Sequence, residues 1–177
     1  MKSPRLTYRP LAEADAARIA LYAGDWDVAR MTARIPYPYS QELARSWMAT
    51  LDPDEFVRIV ELDGDLIGAV GYVPATDGSA EIGYWIGKPW WGNGFATEAA
   101  EALVRHCFRK ARIARLTCCH FVDNQASARV IGKLGFRLMG PSTAWCDARR
   151  AEVPTLIYER RRSLLPQFWR RTARVTG

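Results

Sequence analysis

Residues 81–98 run Glu81-Ile82-Gly83-Tyr84-Trp85-Ile86-Gly87-Lys88-Pro89-Trp90-Trp91-Gly92-Asn93-Gly94-Phe95-Ala96-Thr97-Glu98. The order is a strand, a proline stop, a glycine loop and the first turn of a helix. Gly92 and Gly94 flank one residue just ahead of that helix. Backbone N–H groups at a helix start lack intrahelical partners, and the macrodipole favours negative charge there. Such a turn is competent to cradle a phosphate. No Gly-Lys-Ser/Thr follows, which excludes a P-loop, and Thr97 breaks the G-x-G-x-x-G spacing of a dinucleotide fingerprint. The two glycines alone leave two readings open: an anion cradle, or a tight turn that packs the helix on a sheet.

One helix and one strand downstream stands Asn124-Gln125-Ala126-Ser127-Ala128-Arg129-Val130-Ile131-Gly132-Lys133-Leu134-Gly135-Phe136. Together the two segments resemble the acetyl-CoA motifs of the GNAT (GCN5-related) N-acetyltransferases. The likeness is nearest to the RimJ/RimL branch, which acetylates ribosomal-protein N-termini. There, Trp-Gly-x-Gly-x-Ala-Thr-Glu-Ala is followed by Asn-x-x-Ser-x-Arg-Val-x-x-Lys-Leu-Gly-Phe. The match is specific from Glu81 to Phe136 and looser from about Arg5 to Tyr158.

The resemblance implies acetyl-CoA as cosubstrate, no metal, and a primary amine as acceptor, attacked directly in a ternary complex. Trp91, Gly92, Asn93, Gly94, Phe95, Ala96 and Thr97 would grip the diphosphate. N–H groups around Trp85, Ile86 and Gly87 would polarise the thioester carbonyl. Asn124 would pair with pantetheine, or cap a loop. Glu81 is the candidate base, the alternative being a solvated glutamate. Ser127 would relay a proton and contact the cofactor, or serve as a helix N-cap, or both. Lys133 can reach a phosphate or remain a solvated helix lysine.

Three positions depart from the wider family. Ile131 stands where many members have a tyrosine acid, Asn93 where a Lys or Arg is common between the glycines, and Pro89 where Gln or Arg is frequent. A thiolate with a pKa near 8.5 leaves readily at neutral pH, so a missing acid slows turnover without abolishing it. The missing charge at position 93 weakens phosphate attraction but not the fold.

A chain of 177 residues suits one domain with a substantial core. The expected layout is an acetyltransferase domain over 1–160 and an Arg-rich extension over 161–177. The net charge of +6 belongs to the end of the chain: residues 160–177 carry six arginines and no acid, and removing those six from 25 Lys and Arg leaves 19 against 19 acids. A basic tail can touch RNA or an acidic partner, or be a solvated extension. Leu164, Leu165, Phe168 and Trp169 argue that part of it docks on something. No apolar run is long enough to cross a bilayer, and none follows Lys2 as a secretory signal would require, so a cytoplasmic location is expected. The cysteines, Cys107, Cys118, Cys119 and Cys146, form no C-x-x-C pair, and the only histidines are His106 and His120. Reduced cysteines and no zinc site are expected.

Periodicity predicts strands over 5–9, 56–62, 66–73, 80–86, 116–121, 136–139 and 153–160, and helices over 12–22, 40–51, 95–109 and 127–134. Leu43, Trp47 and Leu51 fall at helical spacing. Asp63-Gly64 signals a tight hairpin. A helix crossover makes the fourth and fifth strands parallel in an otherwise antiparallel sheet. The expectation is an α/β (α+β) GNAT fold: a mixed, twisted sheet of six to seven strands with about four helices. In that fold the parallel strands splay and pantetheine lies between them. Trp26, Tyr37, Tyr39 and Trp47 lie where the family builds its acceptor pocket. Two rival functions remain at this stage: a catalytically silent CoA-binding sensor, and a ribosome- or RNA-associated factor using the tail. A monomer and a homodimer are equally compatible with the sequence.

Overall fold

A computed structural model describes residues 1–162. Its centre is a seven-stranded sheet in the order β1-β2-β3-β4-β5-β7-β6. The strands are β1 (Thr7–Arg9), β2 (Phe56–Leu62), β3 (Asp65–Pro74), β4 (Ala80–Ile86), β5 (Arg115–Phe121), β6 (Arg137–Cys146) and β7 (Ala151–Arg161). Among the described residues only β4 and β5 run parallel, and every other pairing is antiparallel. The described helices are α1 (Ala16–Ala23), α2 (Trp26–Ala29), α3 (Gln41–Ala49), α4 (Phe95–Arg109) and α5 (Gln125–Lys133). The seven strands and the parallel crossover agree with the sequence expectation. The basic and aromatic tail residues beyond Arg162 lie outside the described residues.

Two apolar layers cover the sheet. On one face α4 lays Phe95, Ala99, Ala100, Leu103, Val104 and Cys107 against Val70, Ile82 and Ile86. These are the columns its 3.6-residue period demands. On the other face α1 and α3 pack Ala16, Ile19, Ala23 and Ala44 onto Ile59, Leu66 and Ala69. The β2–β3 hairpin turns at Asp63 and Gly64, both at positive φ (52° and 88°), as a two-residue type I′ connection requires.

The differences from the sequence reading have physical causes. α2 was missed because a four-residue helix carries no periodicity; Asp25 makes it by accepting from the Asp27 N–H at 2.8 Å. A 3-10 turn (Glu13–Asp15) precedes α1, because Asp15 is held by the Arg9 guanidinium through two bonds of 2.7 Å. Ser40 caps α3 as expected, accepting from the Leu43 N–H at 3.2 Å. Leu43 itself is 44% exposed, however, and Ala44 is the fully buried residue. Close approach of α3 to the Ala-rich face of α1 favours the small side chain at that contact.

β6 extends well past the expected Met139, through Gly140-Pro141-Ser142, a sequence that looks like a turn. β6 lies at the sheet edge, where a proline without an N–H is tolerated. Met139 is the extra residue of a bulge, set between the Leu138↔Tyr158 and Gly140↔Ile157 pairs. A bulge re-aims the strand without ending it.

Candidate active site

β4 and β5 pair only at Ala80↔Leu116 and Glu81↔Thr117. Beyond that point the facing edges of Ile82–Ile86 and Cys118–Phe121 part, while β3 and β7 still hold the outer edges. The gap opens into a cavity of about 890 Å³ that reaches both faces of the sheet. Glu81 therefore stands where the strands separate. Its Oε1 accepts from the Cys119 Sγ–H at 3.6 Å, its one hydrogen bond among the described residues.

At the far end of β4 the loop Trp91–Gly94 closes onto α4. Gly92 (φ 81°) and Gly94 (φ 78°) both occupy the left-handed region, where a side chain would be strained. No side chain caps α4, and the first bond into the helix is Glu98 N–H to Gly94 O at 3.1 Å. The N–H groups of Phe95, Ala96 and Thr97 are thus left to an outside acceptor. Trp91, Gly92, Gly94, Phe95, Ala96 and Thr97 all line the cavity. This arrangement of donors and vacant space suits a diphosphate.

Asn93 contributes differently from a cationic residue. Its Nδ2 donates to the carbonyls of Trp90 (3.3 Å) and Trp91 (3.1 Å), which locks the loop. Positive charge comes from elsewhere. Arg129 and Lys133 sit one turn apart on α5, line the same cavity and make no ion pair among the described residues. Arg5, which periodicity gave no reason to single out, braces the loop from behind. Its Nη1 donates to Asn93 O at 3.1 Å, its backbone N–H and Nε donate to Glu98 at 2.8 and 2.7 Å, and its guanidinium lies 4.5 Å over Phe95. Burial of Glu98 opposes its ionisation, but these bonds from Arg5 outweigh it and hold the carboxyl below the usual range.

The expectation for Trp85, Ile86 and Gly87 needs correction. The Gly87 N–H donates to Ile67 O at 2.8 Å and is committed to β3. Alternation along the strand turns the Trp85 amide the same way and aims the Ile86 amide at the gap. Ile86 is therefore the one of the three whose N–H faces the cavity. The indole N–H of Trp91 occupies the carbonyl of Ile86 at 2.6 Å.

On the β5 side, Asn124 is the N-cap of α5, its Oδ1 accepting from the Ser127 N–H at 3.0 Å. Its Nδ2 remains a donor toward the cavity it lines. Ser127 is not an N-cap, because the helix starts at Gln125, earlier than expected. Its Oγ instead lies 2.8 Å from the Tyr84 hydroxyl, across the gap from β4. No pattern in the sequence singled out Tyr84. Ile131 is 1% exposed and belongs to the core beneath α4, so the absent tyrosine of the second motif has no substitute at that place.

The aromatic cluster divides in two. Tyr39 and Trp47 line the cavity beside the α1–α3 layer, whereas Trp26 and Tyr37 meet edge to face at 5.0 Å on the exposed rim. All four cysteines are free thiols. Burial pushes Cys107 up to about 12 and Cys119, which also faces Glu81, up to about 11, so neither is primed as a nucleophile. Among the described residues no cluster of His, Cys, Asp or Glu is arranged to hold a metal, and no helix is long and apolar enough to span a membrane.

A mixed sheet split between two parallel strands, with an uncapped glycine-loop helix at the mouth of the split, defines a mixed α/β protein with an open central cleft. Residues 5–137 match the acetyltransferase (GNAT) domain model, and the chain belongs to the GNAT acetyltransferase family. It is similar to the N-acetyltransferase p20 of Bacillus licheniformis, at 28% identity over 77% of this chain and 81% of that protein. It is also similar to the ribosomal-protein-serine acetyltransferase of Escherichia coli, at 31% identity, over 44% of this chain and about half (45%) of that relative's length. Among solved structures, RimJ of Mycobacterium smegmatis in complex with CoA-disulfide superposes with a TM-score of 0.78, covering 92% of this chain and 84% of that one. At 24% identity that likeness is one of fold.

Proposed function

We propose that the protein transfers the acetyl group of acetyl-CoA to a primary amine, a protein N-terminus or a small-molecule amine, in a ternary complex. The observation that carries this reading is the parting of β4 from β5 at Glu81, with the uncapped start of α4 at the other end of the same cavity. A carboxylate and an anion cradle thereby share one groove. Residues 1–160 would form the acetyltransferase domain, 161–177 an Arg-rich extension, in a cytoplasmic protein.

Acetyl-CoA supplies an activated acyl group and a thiolate leaving group. The amides of Phe95, Ala96 and Thr97 would hold its diphosphate, with Thr97 Oγ1 as a further donor and Arg129 and Lys133 supplying charge. Asn124 Nδ2 would donate to a pantetheine carbonyl. The Ile86 N–H would meet the carbonyl oxygen as charge builds on it. Glu81 would take the amine proton, directly or through one water.

The demand on Glu81 depends on the acceptor. Neutralising a lysine side chain at pH 7 costs roughly 4–5 kcal/mol, against about 1 for an α-amine. An exposed glutamate with no ion pair among the described residues suits the α-amine. Incubation with acetyl-CoA and a panel of peptides and amines, with free thiol as readout, tests the reading. Thiol release dependent on an amine is expected; absence of both CoA binding and thiol release would overturn it.

A further inference from the structure

We infer that the acceptor is an α-amine bearing a large apolar side chain, of the leucine, methionine or phenylalanine kind, seated over Gly83. The inference names the substrate class of the transfer reading and rests on it.

Gly83 is a strand glycine that the fold does not require. It stands in the middle of β4, where glycine costs stability. β4 pairs with β3 in unbroken register from Gly68↔Ile86 to Pro74↔Ala80, so no bulge calls for it. Its φ lies outside the left-handed region. Close packing accounts for the two glycines of β3, since a Cβ at Gly68 would strike the Trp85 carbonyl and one at Gly71 the Phe56 carbonyl. A Cβ at Gly83 would meet nothing within 4 Å. The remaining use of a strand glycine is the close approach of a ligand, and Gly83 lines the cavity.

The ligand on that face is the amine. Ala80, Ile82 and Ile86 point to the α4 side, so alternation turns Glu81, Gly83 and Trp85 to the other. The groups suited to acetyl-CoA, from the first amides of α4 to Asn124 and Lys133, belong to α4 and α5. Glu81 lies two residues from Gly83, about 6–7 Å along an extended strand. An amine nitrogen at Glu81 therefore puts the end of a long side chain over Gly83. The side chain of alanine or serine stops short and leaves the space unfilled.

The space is apolar. Val57 shares the row of Gly83 through Gly71, and Trp85 follows along β4. Tyr39 precedes α3 and Trp47 lies on it, and all four side chains line the cavity. Ile35 packs against both the α1–α3 layer and the Phe121–Val153 cluster across the gap, and so roofs it. Burial pushes the Tyr39 phenol up to about 12, as a poorly hydrated wall requires. A cationic side chain is not served. The other carboxylates lining the cavity, Asp27, Glu55 and Asp123, already hold Lys88, Arg34 and Arg149.

The test is a set of peptides identical beyond the first residue, which is Gly, Ala, Ser, Lys, Leu or Phe, with leucinamide and alaninamide beside them. Thiol release gives kcat/KM. In the wild type the Leu and Phe peptides should exceed the Ala and Ser peptides about tenfold, and the Lys peptide should rank with the small ones. Gly83→Ala and Gly83→Val fill the space. The readout is the ratio of large to small acceptors, which should fall about threefold in the first variant and about tenfold in the second. Both variants should melt at or above the wild-type temperature, since a side chain in open space on a strand carries no steric cost. A wild type that favours small first residues, or ranks all alike, overturns the inference alone. A ratio unchanged in both variants does the same, as does a lower melting temperature, which would mean that the space is already filled. A higher kcat/KM for the peptides assigns the side chain to a protein N-terminus, and for leucinamide to a small amine, either result supporting the class. Absence of CoA binding and of thiol release with every acceptor overturns the transfer reading itself.

Discussion

The two ends of the cleft are built from different material. At the α4 end the donors are main-chain amides, set by two left-handed glycines and the helix axis. At the Glu81 end the polar groups that line the gap are side chains: a carboxylate, the Cys119 thiol, and the Tyr84–Ser127 hydroxyls. A site made of backbone tolerates many side-chain changes but no change of backbone conformation. A site made of side chains has the opposite sensitivity.

That contrast can be broken at several points. The largest effect falls on neither end but on the layer that holds them in register. Leu103 is fully buried between α4 and the sheet, so Leu103→Ala should cost about 2–5 kcal/mol of unfolding free energy. Denaturant unfolding measures this, and a loss below about 1 kcal/mol would mean α4 is not the rigid support described. Next is Glu81→Gln. It should lower the acetylation rate about a hundredfold and leave CoA affinity unchanged. Tight CoA binding, together with a variant indistinguishable from wild type on every amine and no rate above background in either, would favour a silent CoA-binding protein.

Gly94→Val should do the reverse. Forcing a β-branched residue to φ 78° costs roughly 1–2 kcal/mol, and relaxation of the loop should weaken CoA binding about tenfold in calorimetry. Asn93→Ala should be milder, about threefold, because two weak bonds to loop carbonyls are lost. If Asn93→Ala costs more than Gly94→Val, side chains rather than amides dominate that end.

A pH measurement probes the brace behind the loop. Folded Glu98 ionises more readily than its unfolded form, so its contribution is complete above the ordinary value of 4.5. It is lost as pH falls through the lower folded value. Thermal stability should therefore drop on acidification below about 4.5, and Glu98→Gln should flatten that limb. An unchanged acid limb would show that the Arg5–Glu98 contact is not coupled to folding.

The α4 end was the legible one. Gly92, Gly94 and the helix from Phe95 to Arg109 follow from local rules, since glycine spacing and a 3.6-residue period act over a few residues. β4 was placed over its observed span for the same reason. At the other end, Glu81 and Ser127 were visible only through the likeness of their motifs. Tyr84 was hidden, because its bond to Ser127 joins residues 43 apart. Arg5 was hidden too, since its contacts to Asn93 and Glu98 cross the chain. Gly140-Pro141 misled the strand assignment because local propensity carries no record of which strand lies at the edge.

The sequence by itself determined the elements other than α2 and the second half of β6, the parallel crossover and the glycine loop, all products of local sterics and of one-dimensional apolar rhythm. Only the tertiary structure decided which amides face the gap, which hydroxyls meet across it and which cation braces the loop. Those are properties of distance between strands, and distance between strands exists only after the two apolar layers have closed on the sheet.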